Sequence, residues 1–339
     1  MDFVSLYYFS ELAKDLNMTK TATRLYISQQ TLSNHIQRLE SYYNAPLFDR
    51  KPALRLTSAG EFVLAFAQDV ARGENDLKDI LADINQQERG ILRIGASTAR
   101  GNQFLPHILP AFFQRYPKVE CRFVASLSVE QERMVANGSL DLGIVLPGDY
   151  GSELIAQELL QDRVYFCAAD SLLRAYYSEA ELSAIKEKAV TGIQVKDISR
   201  VPFSMMSNRL GRQVHDLFLR DGITPTVYFT CPTSTQAIPL CIKGLTACFC
   251  THMALADSLA ILGDQVNIFP LVDKETPIIQ TLSLIRYRQR YLPHYLKYFI
   301  ELLSKFSENQ ETLHISRIIS DTAAQTDGIS AAPQGNTMS

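Results

Sequence analysis

The chain has 339 residues, 46% of them hydrophobic, with a formal net charge of -3. That apolar fraction supplies cores for two or three domains and excludes disorder throughout. The slightly acidic balance excludes a protein coated in positive charge, so any affinity for nucleic acid has to be local. No stretch approaches the ~20 consecutive apolar residues of a membrane span, and MDFVSLYYFSELAKD carries acids where a secretory leader has a basic and then an apolar run. The expectation is a cytoplasmic protein with no membrane partner.

The first predicted helix, Phe3 to Leu16, has an apolar stripe of Phe3, Leu6, Phe9, Leu12, Ala13 and Leu16. Residues 19–40, TKTATRLYISQQTLSNHIQRLE, then read as two short amphipathic helices meeting at a corner, with apolar positions Ala22, Leu25 and Tyr26 in one and Leu32, Ile36 and Leu39 in the other. Packed on the first helix they make a small trihelical domain of helix-turn-helix type. Ser28 is a good N-cap for the second helix. Gln29, Gln30, Ser33, Asn34 and Gln37 fall on its solvent side, where hydroxyl and amide groups can pair with base edges in a DNA major groove. Arg24 and Arg38 flank them, placed for phosphates. PLFDRKPALRLTSAG follows as a hairpin with Arg50, Lys51 and Arg55 at its tip, suited to a wing along the phosphate backbone. Between Leu16 and Ser58, Lys20, Arg24, Arg38, Arg50, Lys51 and Arg55 face only Glu40 and Asp49. So modest a surplus implies salt-sensitive affinity per subunit and a need for oligomers.

From Ser58 to about Gln87 there is no proline, and Phe62, Phe66, Val70, Gly73, Leu77, Ile80 and Ile84 step by threes and fours in a near-heptad seam. A helix of ~30 residues spans about 45 Å, too long for the interior of a compact domain. Its seam is expected to pack on the same helix of a second subunit, setting two recognition helices on neighbouring half-sites.

Past Gly90 short apolar runs alternate with helical stretches, the pattern of βαβ units and mostly parallel sheets. Two such sets make two α/β lobes, and open α/β sheets take ligands where strand C-termini and helix N-termini converge. Ser97 and Thr98 follow the first strand, and Ser128 starts the next helix. In the second set Phe203 and Ser204 end the VPFSMM strand, while Thr233 and Ser234 precede a helix. Each is a candidate for a polar or anionic ligand, and each is equally an ordinary cap or turn residue. The six cysteines include no CxxC pair and read as buried reduced thiols; Cys248 and Cys250 lie on one side of a strand, with redox sensing a minor reading. No metal site and no cofactor are expected. The end of the chain, TAAQTDGISAAPQGNTMS, reads as a disordered tail.

The aromatic first helix, TATRLYISQQTLSNHIQRLE, LFDR and RLTSAG running into a long helix resemble, in spacing and residue type, the LysR-type transcriptional regulators over roughly residues 1 to 305. The resemblance implies a winged helix-turn-helix domain at 1–58, a linker and dimerisation helix at 59–88, and a two-lobed effector-binding domain at 89–306. That last domain is similar to type II periplasmic solute-binding proteins. A tail occupies 307–339. It implies DNA contacts from Ser28, Gln29, Gln30, Thr31, Ser33, Asn34, Arg38, Arg50, Arg55 and Thr57, with Asn34 standing where the family often carries an arginine. One cleft would gather Ser97, Thr98, Ser128, Phe203, Ser204 and Thr233 around a small-molecule effector of unknown identity. The partners implied are double-stranded DNA, a second or further copies of the chain as homodimer or homotetramer, and RNA polymerase. A solute-binding or enzymatic two-lobed protein is the alternative. The histidines are scattered singly and no HExxH, GxSxG or GxxxxGK[ST] motif occurs, so no enzyme is expected.

Overall fold

In the computed structural model, which describes residues 2–86, 88–312 and 315–319, the chain forms two compact units. The first takes in residues up to 159 and again 282–307; the second takes in 160–281 and the described residues from 308 onward.

The first unit opens with α1 (Phe3–Asp15), α2 (Met18–Arg24) and α3 (Gln29–Tyr43). Each begins at a side chain that satisfies an orphan amide: Asp2, Asn17 and Ser28 accept from the backbone N–H groups of Ser5, Lys20 and Thr31. Leu6, Phe9, Leu12, Ala22, Leu32, Ile36 and Leu39 meet in one buried core, as their helical spacing predicts. Tyr26 corrects the predicted stripe of the second helix. It sits in the turn after α2 at φ 56°, 96% exposed, and Ile27 packs inward in its place. The wing is β1 (Phe48–Asp49) paired antiparallel with β2 (Arg55–Leu56).

Thr57 accepts from Gly60 N to start α4 (Ser58–Ile84), a 27-residue helix with two working faces. Val63 and Ala67 are buried in the core of the trihelical domain, and Val70 packs at its edge. Phe62, Phe66, Leu77, Leu81 and Ile84 face outward, Phe62 80% and Ile84 70% exposed. The outward stripe therefore runs through Leu81 rather than the predicted Ile80, which is half-buried, because 3.6 residues per turn drift away from a strict heptad along a straight helix.

Then come β3 (Arg89–Ala96), α5 (Thr98–Arg115), β4 (Lys118–Ala125), α6 (Ser128–Ala136), β5 (Leu142–Val145) and the start of β6 (Leu154–Ala169). β3 is flanked by β4 and β5 in parallel. The second unit continues β6 and adds α7 (Asp170–Tyr176), α8 (Glu179–Ala189), β7 (Phe203–Met206), α9 (Arg209–Arg220), β8 (Val227–Cys231), α10 (Ser234–Ile242), β9 (Ala247–Thr251), α11 (His252–Ala256), α12 (Leu259–Leu262), β10 (Val266–Pro270), β11 (Val272–Asp273) and β12 (Thr276–Pro277). β7 lies parallel to β8 and β9, while β6 pairs antiparallel with β9 and β10. β13 (Ile279–Tyr287) returns the chain to the first unit, antiparallel to β5. Each unit is thus α/β with a parallel centre, the alternation that the sequence predicts. No described helix is long and apolar enough to cross a membrane.

The final helix, α13 (His294–Thr312), and residues 315–319 correct the boundary predicted at 306. The helix runs on past it, and Arg317 exchanges two backbone hydrogen bonds with Ile268 on β10, at 2.8 and 2.9 Å. Ile315 is buried in the second unit's core. The predicted disorder concerns 322–339, which lie outside the described residues.

The second half of α4 is held inside the first unit by charge. Arg290, just after β13, is buried between Asp76 and Asp79 of α4 and Asp141 ahead of β5, with 2.8 Å to Asp79 and 2.9 Å to Asp141. Tyr295 donates to the other oxygen of Asp79 at 2.9 Å, Tyr291 donates to Asp83, and Asp141 also accepts from Arg93 N. Burial raises the pKa of Asp79, against the pull of Arg290. Arg290→Met leaves the buried Asp79 without its cation and Asp141 with only the Arg93 guanidinium, 3.6 Å away, so it is expected to lower stability by about 3–5 kcal/mol in chemical denaturation. A decrease of under about 1 kcal/mol would show that the cluster is not needed to hold α4.

Candidate functional site

The exposed face of α3 presents Gln29, Gln30, Thr31, Asn34, Gln37 and Arg38, with Ser33 half-buried. Ser28 Oγ accepts from Thr31 N at 3.0 Å and lies 2.8 Å from Thr31 Oγ1. Gln30 donates to Asn34 at 2.9 Å, and Thr19 donates to Gln29 at 3.3 Å. These exposed amides are paired only locally, and each can exchange its partner for a base edge at small cost. The predicted recognition positions therefore occupy one face, Ser28 chiefly as the cap that fixes where the helix begins.

The cations around that face divide into two kinds. Arg24, expected at phosphates, instead reaches back to Glu11 and Asp15 of α1, with 2.6 Å to Asp15 and a further bond to the Glu11 carbonyl. It positions α2, and its charge is spent within the fold. No spacing rule connects residues 11, 15 and 24, so the sequence gives no sign of this ion pair. Arg38 pairs with Asp2 at 3.1 Å and Arg50 with Glu40 at 3.3 Å, both in exposed pairs that phosphates can displace. Lys51 and Arg55, on the wing, are exposed. Thr57, predicted near the phosphates, caps α4 and donates to the Pro46 carbonyl.

In the first unit Ser97 caps α5, accepting from Arg100 N at 3.4 Å, and Thr98 beside it is exposed. Ser128 Oγ accepts from Leu146 N at 3.2 Å. Two residues that spacing did not single out join them. Ser126, whose N–H bonds to the Ala96 carbonyl next to Ser97, has a buried hydroxyl without a hydrogen-bond partner, and so does the Oε1 of Gln131, whose amide nitrogen holds the Ser126 carbonyl at 2.8 Å. The C-terminal ends of β3 and β4 thus gather hydroxyls and an amide with unused hydrogen-bonding capacity, as a polar ligand requires.

The second-unit candidates fare differently. Phe203 is not ligand-facing: its ring is fully buried, stacked 5.6 Å from Phe249 and set edge-on to Phe218 at 5.2 Å. Every residue of β7 is buried, and Phe203 and Ser204 open this strand rather than end it as predicted, so they stand at its N-terminal end and not at the C-terminal edge where open α/β sheets take ligands. Ser204 is also buried, its hydroxyl 2.7 Å from that of Thr246. Thr233 stands at the start of α10 without making a cap bond, its hydroxyl 2.7 Å from that of Thr235.

The chain matches the family model described as LysR substrate binding domain over residues 85–307 and that described as bacterial regulatory helix-turn-helix protein, lysR family, over residues 3–61. It is 28% identical to the uncharacterized HTH-type transcriptional regulator YcgK of Bacillus subtilis over 89% of this chain and 94% of that one. Its fold is similar to that of ArgP from Mycobacterium tuberculosis, with TM-score 0.61, 17% identity and coverage of 94% and 100%. It is also similar to full-length CbnR complexed with its target DNA, with TM-score 0.53, 21% identity and coverage of 90% and 99%.

Two outcomes follow from these placements. Asp2 and Asp15 are both held down to about 2, Asp2 chiefly by the Ser5 backbone N–H and Asp15 chiefly by Arg24. A carboxyl whose folded pKa lies below its ordinary value stabilises the fold above that value and loses the effect as pH falls through the folded one. The contribution of these two carboxyls to the trihelical domain's stability is therefore expected to hold from neutrality down to about pH 4 and to fade between there and about pH 2, as a pH series of thermal melts would read out. Phe203→Ala is expected to cost about 3–5 kcal/mol in denaturation, whereas a ligand-facing ring would leave stability nearly unchanged.

Proposed function

Because the chain belongs to the LysR family of DNA-binding transcriptional regulators, we propose that it acts in the cytoplasm as a homodimer or a dimer of dimers. It lays one α3 per subunit into successive major grooves, and a small polar or anionic effector tunes how it holds the promoter. It works by binding, with no catalytic step assigned to it. The observation that carries the DNA contact is the continuous exposed run of Gln29, Gln30, Thr31 and Asn34 on a helix capped by Ser28. Lys51 and Arg55 on the wing and the displaceable Arg38 and Arg50 supply phosphate contacts. The outward stripe of α4 supports the second copy, since Phe62, Leu77 and Ile84 in water are otherwise an apolar liability. Ser97, Thr98, Ser126, Ser128 and Gln131 are the effector's partners in the first unit, and Thr233 is a candidate in the second. RNA polymerase is the partner through which a change in promoter geometry becomes a change in transcription.

A gel shift with fragments from the chain's own promoter region tests the DNA contact. Gln29→Ala with Gln30→Ala is expected to weaken specific binding by about 1–3 kcal/mol for each base edge no longer read, leaving non-specific binding intact. Lys51→Ala with Arg55→Ala is expected to weaken all sequences alike and to reduce the salt slope by about 1 for each phosphate no longer neutralised. Unchanged affinity and slope in both variants would overturn the assignment. Thermal shift across a metabolite panel reads the effector, because a ligand of the folded state raises its stability. Ser126→Ala, whose hydroxyl has no hydrogen-bond partner in the fold, is expected to erase the shift without lowering the unliganded melting temperature.

A further inference from the structure

Five of the six cysteines lie buried in the second unit, and three of them converge. Cys248 on β9 stands directly across from Cys167 on β6. Cys250, two residues along the strand, returns to the same face. The three sulfurs lie within 4.8 Å of one another, with 3.9 Å between Cys248 and Cys250. The intervening positions, Phe166 and Phe249, pair on the opposite face and belong to the aromatic core with Phe203 and Phe218. One side of these strands is thus built from rings and the other from thiols. Cys241 on α10 is buried and adjoins Cys248, but it does not join the mutual group of three.

A metal ion with bonds of about 2.3 Å to sulfur needs its sulfurs about 3.8–4.0 Å apart, the separation already found between Cys248 and Cys250. The donors are all soft, and among the described residues no histidine or carboxylate shares the group. Three sulfurs leave a tetrahedral zinc site one ligand short, whereas soft thiolates in low coordination select copper(I). We propose that Cys167, Cys248 and Cys250 form a three-sulfur binding site for copper(I).

Binding exchanges protons for the ion. Cu⁺ enters as the monovalent ion, one proton leaves to solvent for each sulfur that ionises, and no electron moves. Over β9 packs α10, a nine-residue helix that contains Pro239 and starts without a side-chain cap bond. Occupied, the site clips β6 to β9 through a bond that neither strand's hydrogen-bond ladder supplies.

The test uses the reduced, full-length chain under anaerobic conditions, titrated with copper(I) against bathocuproine disulfonate, a copper(I)-selective chelator. The expected result is one copper per chain retained by the wild type and by Cys121→Ala, which changes the cysteine on β4 of the other unit, and none retained by Cys248→Ala or Cys250→Ala. Failure of the wild type to hold copper overturns the proposal, as does retention by the folded Cys248→Ala and Cys250→Ala variants. Should either variant lose its native circular dichroism, X-ray absorption on the copper-loaded wild type decides instead. A first shell of sulfur alone supports the site, and a shell containing nitrogen or oxygen overturns it.

Discussion

A buried guanidinium is the constraint around which the first unit is organised. Arg290 touches Asp76 and Asp79 on α4 and Asp141 beside β5, so residues more than 200 positions apart in sequence share one charge cluster. Taking the Arg290 guanidinium with Asp79 and Asp141 out of water is costly, and the arrangement persists because its members have further partners: Tyr295 on Asp79, and the Arg93 N–H and guanidinium on Asp141. The cluster ties the later turns of a helix whose earlier turns belong to the core of the trihelical domain. A rigid rod anchored at both ends transmits displacement, where a flexible linker would absorb it.

The same helix explains how one amphipathic element meets two demands. Its inner positions, Val63 and Ala67, are small enough to seat on the trihelical core, while its outer stripe is large and apolar. A helix with only the inner face would finish folding within a single chain. Carrying both, it makes assembly a condition of burying the surface that the sequence encodes.

Much of this is legible in the sequence because it rests on short-range rules. The N-cap at Ser28, helical spacing at Leu32, Ile36 and Leu39, and the short apolar runs that become strands each depend on neighbours within a few residues. What escapes depends on pairing across the chain. Arg24 resembles any surface arginine until Glu11 and Asp15 are brought beside it. Phe203 has the same local surroundings whether it ends a strand beside a cleft or opens one under the rings of Phe218 and Phe249. Ser126 and Gln131 stay hidden because an unpaired buried oxygen is defined by what does not reach it. Tyr26 misleads because a positive φ in a two-helix corner turns a residue away from the face its spacing assigns.

The last described residues carry a practical lesson for anyone dissecting the sensory half. The family model ends at 307, yet Ile315 fills a hole in the second unit's core, Arg317 completes the outer edge of β10, and Ile319 N–H closes onto the buried Asn267 side chain at 2.9 Å. A truncation made at the domain border would pull out that plug, leave Asn267 Oδ1 thirsting in a dry interior and bare a strand edge to its neighbours in solution. Insolubility of such a fragment would then reflect where the scissors fell, and a cut placed after 319 is the sensible starting point for crystallising this half by itself.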